Sequence, residues 1–333
     1  MGGNALKFNT VRLHQNEFIH FEKFIVERLT PHFNQVNPTL YFQDKKTFGD
    51  LDVIVTGQQG KQSTTELINS LFRPNEIFKN GNVYSFDVSN FQVDLIFFGK
   101  EVYETAKFYY SYNDLNNLVG KLYHHFNLKF GHKGLAFKMF ADDLHYQKEI
   151  TLSRNPKQIY ELIDLDYSKY EQGFNSLIEI FEFIISSKYF DPALFSLKNL
   201  KHKDRTRDRK RKTYSAFLSY IEEKLNVELL KVDYKHKIDL DETYSFIDTN
   251  FPEVDIYSHI EKLERVNDER KLIAKKFNGN IVRELTGREG KEIGDLIKAL
   301  KSEKDFKKFV LNASQSHINQ AICDFDQKLK YEL

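Results

Sequence analysis

The sequence predicts an α+β N-terminal region built on a mixed sheet, followed by a mostly α-helical C-terminal body. Two patterns carry this. Between residues 40 and 98 short apolar runs alternate with turn residues, and from about residue 155 apolar residues recur at three- and four-residue intervals. The chain shows no sequence repeat and no long low-complexity linker, so its parts should pack together.

Taken in order, Phe18, Ile19, Phe21, Phe24, Ile25 and Leu29 form the apolar stripe of a first helix, which Pro31 stops. Strand-like runs follow at 40–42 and 52–55, then turn residues and a helix from Ser63. The runs NEIF, NVYSFDV and FQVDLIFF, separated by KNGN and SN, read as a meander with tight turns. Helical stretches at 102–110 and 114–126 precede possible strands near 128–131 and 135–140. Beyond them QIYELI, NSLIEIFEFIISSKYF, YSAFLSYIEEKL, YSHIEKLERVNDERKLIAKKF and KEIGDLIKALK are helical, with Pro156, Pro192 and Pro252 as joints. The expected domains are 1–152, a helical domain over 153–270 that carries a basic segment, and a helical tail domain over 271–333.

The 333 residues are 41% hydrophobic and 29% charged, the balance of a globular protein. No run approaches the roughly 18 apolar residues that cross a bilayer, and the N-terminus lacks a secretory pattern. Cys323 is the single cysteine, which excludes an internal disulfide and a cysteine-based zinc site. A cytoplasmic location and no membrane partner are expected. Richness in Asn, Lys, Phe and Tyr without Trp is what an AT-rich genome, such as a viral one, would give. The net charge of +1 hides segregation: residues 160–185 carry six acids against one lysine, and KHKDRTRDRKRK (201–212) carries eight Lys or Arg against two Asp.

TFGDLDVIVT (47–56) sets two aspartates two apart in a β-like run, so Asp50 and Asp52 point to one face and Leu51, Val53 and Val55 to the other. Two carboxylates so close repel unless a cation lies between them, and magnesium, a hard ion preferring oxygen, is the natural one. Gly49 before them would let a phosphate approach the backbone. Asp94, within the apolar run VDLIFF, needs a partner too, and a shared site on a neighbouring strand would supply it. Three such aspartates suit two metals about 3.5–4 Å apart and an in-line phosphoryl displacement.

GDLDVIVT resembles the metal-binding strand of the DNA polymerase beta-like nucleotidyltransferase superfamily, and VDLIFF resembles the strand of its third aspartate. That resemblance, over about 40–130, implies a nucleotidyltransferase palm in the N-terminal region and an enzyme that transfers a nucleotide with release of pyrophosphate. It further implies that Asp50 and Asp52 bridge two Mg²⁺ ions, for which Mn²⁺ can substitute, while Asp94 holds only the one activating the attacking hydroxyl. YETAKFYYSYNDLNNLVGKLYHHF is similar, more weakly, to a segment of X-family DNA polymerases. By that match Tyr112, Asp114 and Asn117 would lie near base and sugar and Lys121 near nucleic acid. The family's Gly-Ser pair is missing from NPTLYFQDKKTF, so triphosphate binding would fall to Lys45, Lys46 and Thr47, or to Arg12, unless the lysines are ordinary surface residues.

If 201–212 is helical, Lys201, Arg205, Arg209 and Lys212 share a face that suits a phosphate backbone; the alternative is a solvated segment. Tyr214, Phe217 and Tyr220 would stack on bases or form a buried stripe. His124, His125 and His132 are substrate contacts or surface histidines. ELTGREGKEIGDLIKALK (284–301) reads as a helical hairpin with Gly287 as C-cap, and it resembles the C-terminal region of bacterial CCA-adding enzymes and poly(A) polymerases. That resemblance points to an RNA 3′ end, tRNA or single-stranded RNA, as acceptor of NMP from NTP. The rivals are a template-dependent X-family-like repair polymerase on primed DNA, a nucleotidyltransferase toxin or modifier labelling tRNA or protein, and a binding protein with a retired site.

Overall fold

Alternating side chains and strong turn residues set up the N-terminal sheet. The computed structural model of the protein describes residues 3–140, 146–234 and 238–331. A short strand β1 (Leu13–His14) leads into helix α1 (Gln15–Leu29), and Pro31 opens a 3₁₀ turn that ends it. Strands β2 (Phe33–Pro38), β3 (Thr47–Phe48) and β4 (Asp50–Gln58) follow. Helix α2 (Thr64–Phe72) starts at Ser63, whose hydroxyl accepts from the Glu66 N–H while Glu66 accepts from the Ser63 N–H. Then come β5 (Ile77–Asn80), β6 (Val83–Val88) and β7 (Phe91–Phe97).

These strands form a five-stranded mixed sheet in the order β2-β4-β7-β6-β5, while β1 and β3 pair separately. Only β4 and β7 run parallel; their register sets Leu51 beside Val93, Asp52 beside Asp94 and Val53 beside Leu95. Leu51, Val53, Val55, Val93 and Leu95 pack with Phe18, Ile25 and Leu29 of α1 and with Leu67 and Ile68 of α2. Each such side chain contributes about 1.5–3 kcal/mol on burial. The apolar face thus lies under the two helices, and the aspartates point to the other.

The strand expected at 40–42 is instead β2, seven residues earlier at its start, where FNQVNP pairs antiparallel with β4. Its polar sequence hides it: it is an edge strand, with Gln35 and Asn34 exposed and Pro38 at its end. Residues 40–42 serve as a loop, with the Leu40 N–H donating to Ser111 Oγ.

Helices α3 (Tyr103–Tyr110) and α4 (Leu115–Leu122) fall where the periodicity puts them. They precede a three-stranded sheet of β8 (Leu128–Gly131), β9 (Gly134–Phe140) and β10 (Tyr146–Ser153), ordered β10-β9-β8. The remainder is helical: α5 (Pro156–Glu161), α6 (Tyr167–Gln172), α7 (Leu177–Ile185), α8 (His202–Asp208), α9 (Lys212–Leu225) and α10 (Leu240–Asn250). After them come α11 (Ile256–Lys276), α12 (Gly279–Thr286), α13 (Lys291–Ser302), α14 (Phe306–Asn312) and α15 (Gln315–Tyr331). Among the described residues no helix is long and apolar enough to cross a membrane.

By its internal contacts the chain divides into two units, one spanning residues 3–139 and Lys148–Val254, the other containing residues 255–331. The boundary expected at 152 lies inside the first unit, and the one expected at 271 lies within α11. The second unit has its own core of Phe277, Val282, Leu296, Leu300, Val310, Ile318 and Ile322. Gly287 caps α12 in the left-handed region, as the hairpin reading requires.

Candidate metal centre

Parallel pairing of β4 with β7 creates this site. Period two puts Asp50 and Asp52 on one face, and the in-register partner of Asp52 is Asp94. The three side chains each offer an oxygen, all within 4.8 Å of one another. Burial holds the Asp52 carboxyl well above its usual range, and the neighbouring Asp50 and Asp94 charges raise it further against the pull of Lys45. Asp94 is pushed up to about 6, by burial first and then by Asp50, against hydrogen bonds from Ser85 and Gln92. An all-oxygen set of repelling carboxylates, half withdrawn from water, fits a hard divalent cation, which would relieve both the repulsion and the desolvation.

Neighbours orient two of the ligands. The Gln92 amide nitrogen donates to Asp94 Oδ1 at 2.9 Å and to Oδ2 at 3.1 Å, while Gln92 Oε1 accepts from the Ala5 N–H at 2.9 Å. The Gly3 N–H donates to Asp50 Oδ2 at 3.1 Å, and the Gly3 carbonyl accepts from Thr10 Oγ1. The N-terminal segment is thereby laid across the carboxylates. Gly3 has φ +82°, and a Cβ there would stand 2.4 Å from the Gly49 carbonyl oxygen. Gly3→Ala is therefore expected to lift this segment off Asp50, destabilise the first unit by about 1–2 kcal/mol and weaken Mn²⁺ affinity. Thermal melting with a Mn²⁺ titration checks this; an unchanged affinity would show that the segment does not support the site.

A pocket of 140 Å³ opens on Asp50 and Asp52, lined also by Lys45, Tyr110 and Asn113 among others. The Lys45 ammonium donates to Asn113 Oδ1 at 3.1 Å and lies 4.4 Å from the Phe48 ring centroid. Burial lowers its pKa, opposed by the Asp50 and Asp52 charges. Lys45 thus lies at the carboxylates, while Lys46 and Thr47, grouped with it for triphosphate binding, do not. Lys46 is exposed, and Thr47 accepts from Arg12 through both its carbonyl and its hydroxyl. Against the Gly49 carbonyl sits Gly3 rather than open space for a phosphate.

The segment after α3 departs further from expectation. Tyr112 is 5% exposed and packs edge-on against Tyr170 and Phe174, so it belongs to the core and not beside a base. Its φ of +58°, shared by Asn113, turns the chain so that Asn113 faces the pocket instead. Asp114 is ion-paired with Arg211, and Asn117 Oδ1 accepts from Arg207 at 3.0 Å. Lys121 is 2% exposed and ion-paired at 2.7 Å to Asp208, itself fully buried, which removes it from any surface that meets nucleic acid. His132 contacts the rings of Phe98 and Tyr110, and His125 Nδ1 lies 3.1 Å from the Tyr234 hydroxyl.

The basic run does not form one continuous helix. Lys201 precedes α8, Arg209 follows it, and Lys212 begins α9, so the expected stripe is broken. Arg205 turns inward to donate to the Leu200 carbonyl at 2.8 Å. Tyr214 and Phe217 are buried, the stripe reading of those aromatics.

Sequence reasoning missed Gly3, Gln92, Tyr110 and Asn113. Gln92 had a signal, since it stands two residues before Asp94 on the same face of the strand. Gly3 had none, because its contact joins residues far apart in the chain. No known protein family matches this chain, and no curated protein matches it.

Proposed function

We propose that the protein is a metal-dependent nucleotidyltransferase that adds NMP from NTP to an RNA 3′ end and releases pyrophosphate. The observation that carries this reading is the convergence of Asp50, Asp52 and Asp94 at the β4–β7 pair of a mixed sheet, beside a pocket that Asp50 and Asp52 line. Magnesium, when bound there, would neutralise phosphate charge and sharpen the attacking hydroxyl. Asp50 and Asp52 would hold it from one strand and Asp94 from the next. Gln92 keeps Asp94 aimed, and Lys45 places a cation beside the developing negative charge. Phosphoryl transfer asks for positioning and charge neutralisation more than covalent help, and the pocket offers both.

An RNA acceptor draws on the resemblance of 284–301 to CCA-adding and poly(A)-adding enzymes. The templated repair reading leaned on the 101–126 segment, in which Tyr112 lies in the core and Lys121 is buried. An extension assay in Mg²⁺ with each labelled NTP and dNTP, offering tRNA, single-stranded RNA and primed DNA, tests the proposal. Template-independent growth of the RNA 3′ end, lost on adding EDTA, is the expected result. Growth on primed DNA alone would make it a repair polymerase, and labelling of a protein in place of nucleic acid would make it a modifier.

A further inference from the structure

A second concavity, of 630 Å³, is lined by Asn4 and by His202, Lys203, Arg207, Lys210 and Arg211 of α8 and the turn after it. No carboxylate is among its lining residues, while four Lys or Arg are. Arg207 and Arg211 are held in place by Asp204, Asp208 and Asp114, whereas Lys203 and Lys210 are exposed. Cations gathered around one shallow depression raise the positive potential that an anion meets there. Guanidinium forks held by partners, together with exposed ammonium groups, match phosphate oxygens.

Two links tie this pocket to the carboxylates. Asn4 follows Gly3, whose N–H donates to Asp50. Arg211 pairs with Asp114, the neighbour of Asn113, which accepts from Lys45 in the metal pocket. The two concavities therefore flank the same N-terminal segment and the same turn. Lys201, Arg205, Arg209 and Lys212, the face expected from helical spacing, line neither.

We propose that this basic pocket binds phosphate groups of a substrate of the transfer reaction, an inference that rests on the nucleotidyltransferase reading. The phosphates come from the triphosphate of the nucleotide or from the backbone of the acceptor, and the test separates these sources. Isothermal titration of the Asp94→Asn protein in EDTA, with inorganic tripolyphosphate and separately with a single-stranded RNA decamer, measures binding without turnover or metal. Lys203→Ala/Lys210→Ala, at exposed positions, is expected to weaken the bound ligand by roughly tenfold or more. Lys201→Ala/Arg209→Ala, which removes equal charge outside the pocket, should change affinity by less than about twofold. Loss confined to tripolyphosphate assigns the nucleotide tail, and loss confined to RNA assigns the acceptor backbone. Equal losses in the two double variants, or none in the first, would overturn the proposal. Failure of nucleotidyl transfer itself would show instead in the extension assay.

Discussion

Asp94→Asn is expected to lower nucleotidyl transfer by roughly a thousandfold or more, equivalent to about 4 kcal/mol of transition-state stabilisation, while making the metal-free protein more stable at neutral pH. The first effect follows from removing one of three converging oxygens and its charge. The second follows from the site's cost without a metal. Asp94 has a folded pKa of about 6 against an ordinary value of 3.8, so the folded chain holds this proton more tightly than the unfolded one. Stability from this group is fully present below the ordinary value and is lost as pH rises through about 6. At neutral pH the loss reaches about 3 kcal/mol, or several degrees of melting temperature. Asparagine keeps the shape and an oxygen for Gln92 but carries no charge to desolvate. Melting in EDTA across pH 4–8 should show the parent's stability falling through this window and the variant's curve flatter. Undiminished transfer would sink the metal assignment, and parallel pH curves would mean that Asp94 is better solvated than its burial implies.

The same residues show what a sequence can disclose. Asp50 and Asp52 are legible because period two is a local rule, and Asp94 because a charge inside VDLIFF is costly wherever that strand sits. What local rules could not give was the parallel register that sets Asp94 beside Asp52, since it depends on how the chain crosses through α2, β5 and β6 before returning. The meander and the helices were legible from turns and periodicity, while β2 was hidden because an edge strand can be polar. Tyr112 was misplaced because a left-handed pair, Tyr112 and Asn113, reversed which side chain meets the pocket. The basic run was misread for a similar reason: the helix ends at Asp208, so spacing computed across the break puts the wrong cations together.

Lys121 carries the other large expectation, because it looked like a surface cation and is a buried one. Helix α4 buries Leu115, Leu118, Val119 and Leu122, and Lys121 stands at the flank of that stripe where α4 meets Asp208. Burial raises the Asp208 carboxyl, but hydrogen bonds from Arg207 and Lys121 outweigh it and hold the pKa below its usual range. The Lys121 ammonium also lies 5.6 Å from the Tyr214 ring centroid. Lys121→Met should therefore leave a buried carboxylate with Arg207 alone and cost the first unit about 3–5 kcal/mol. Adding Asp208→Asn should recover much of that loss, since the penalty lies in the stranded charge more than in the lost attraction. Denaturant unfolding of both single variants and the double variant gives the coupling directly. A cost for Lys121→Met below about 1 kcal/mol would mean that Asp208 finds water or another partner. The pair also fixes α8, and with it the arginines that hold Asn117 and Asp114. Under conditions where Lys121→Met remains folded, the variant should show a raised KM for the substrate whose phosphates the basic pocket takes, nucleotide or acceptor, with a smaller change in kcat, because the carboxylates on β4 and β7 are left intact while the basic wall loses its anchor.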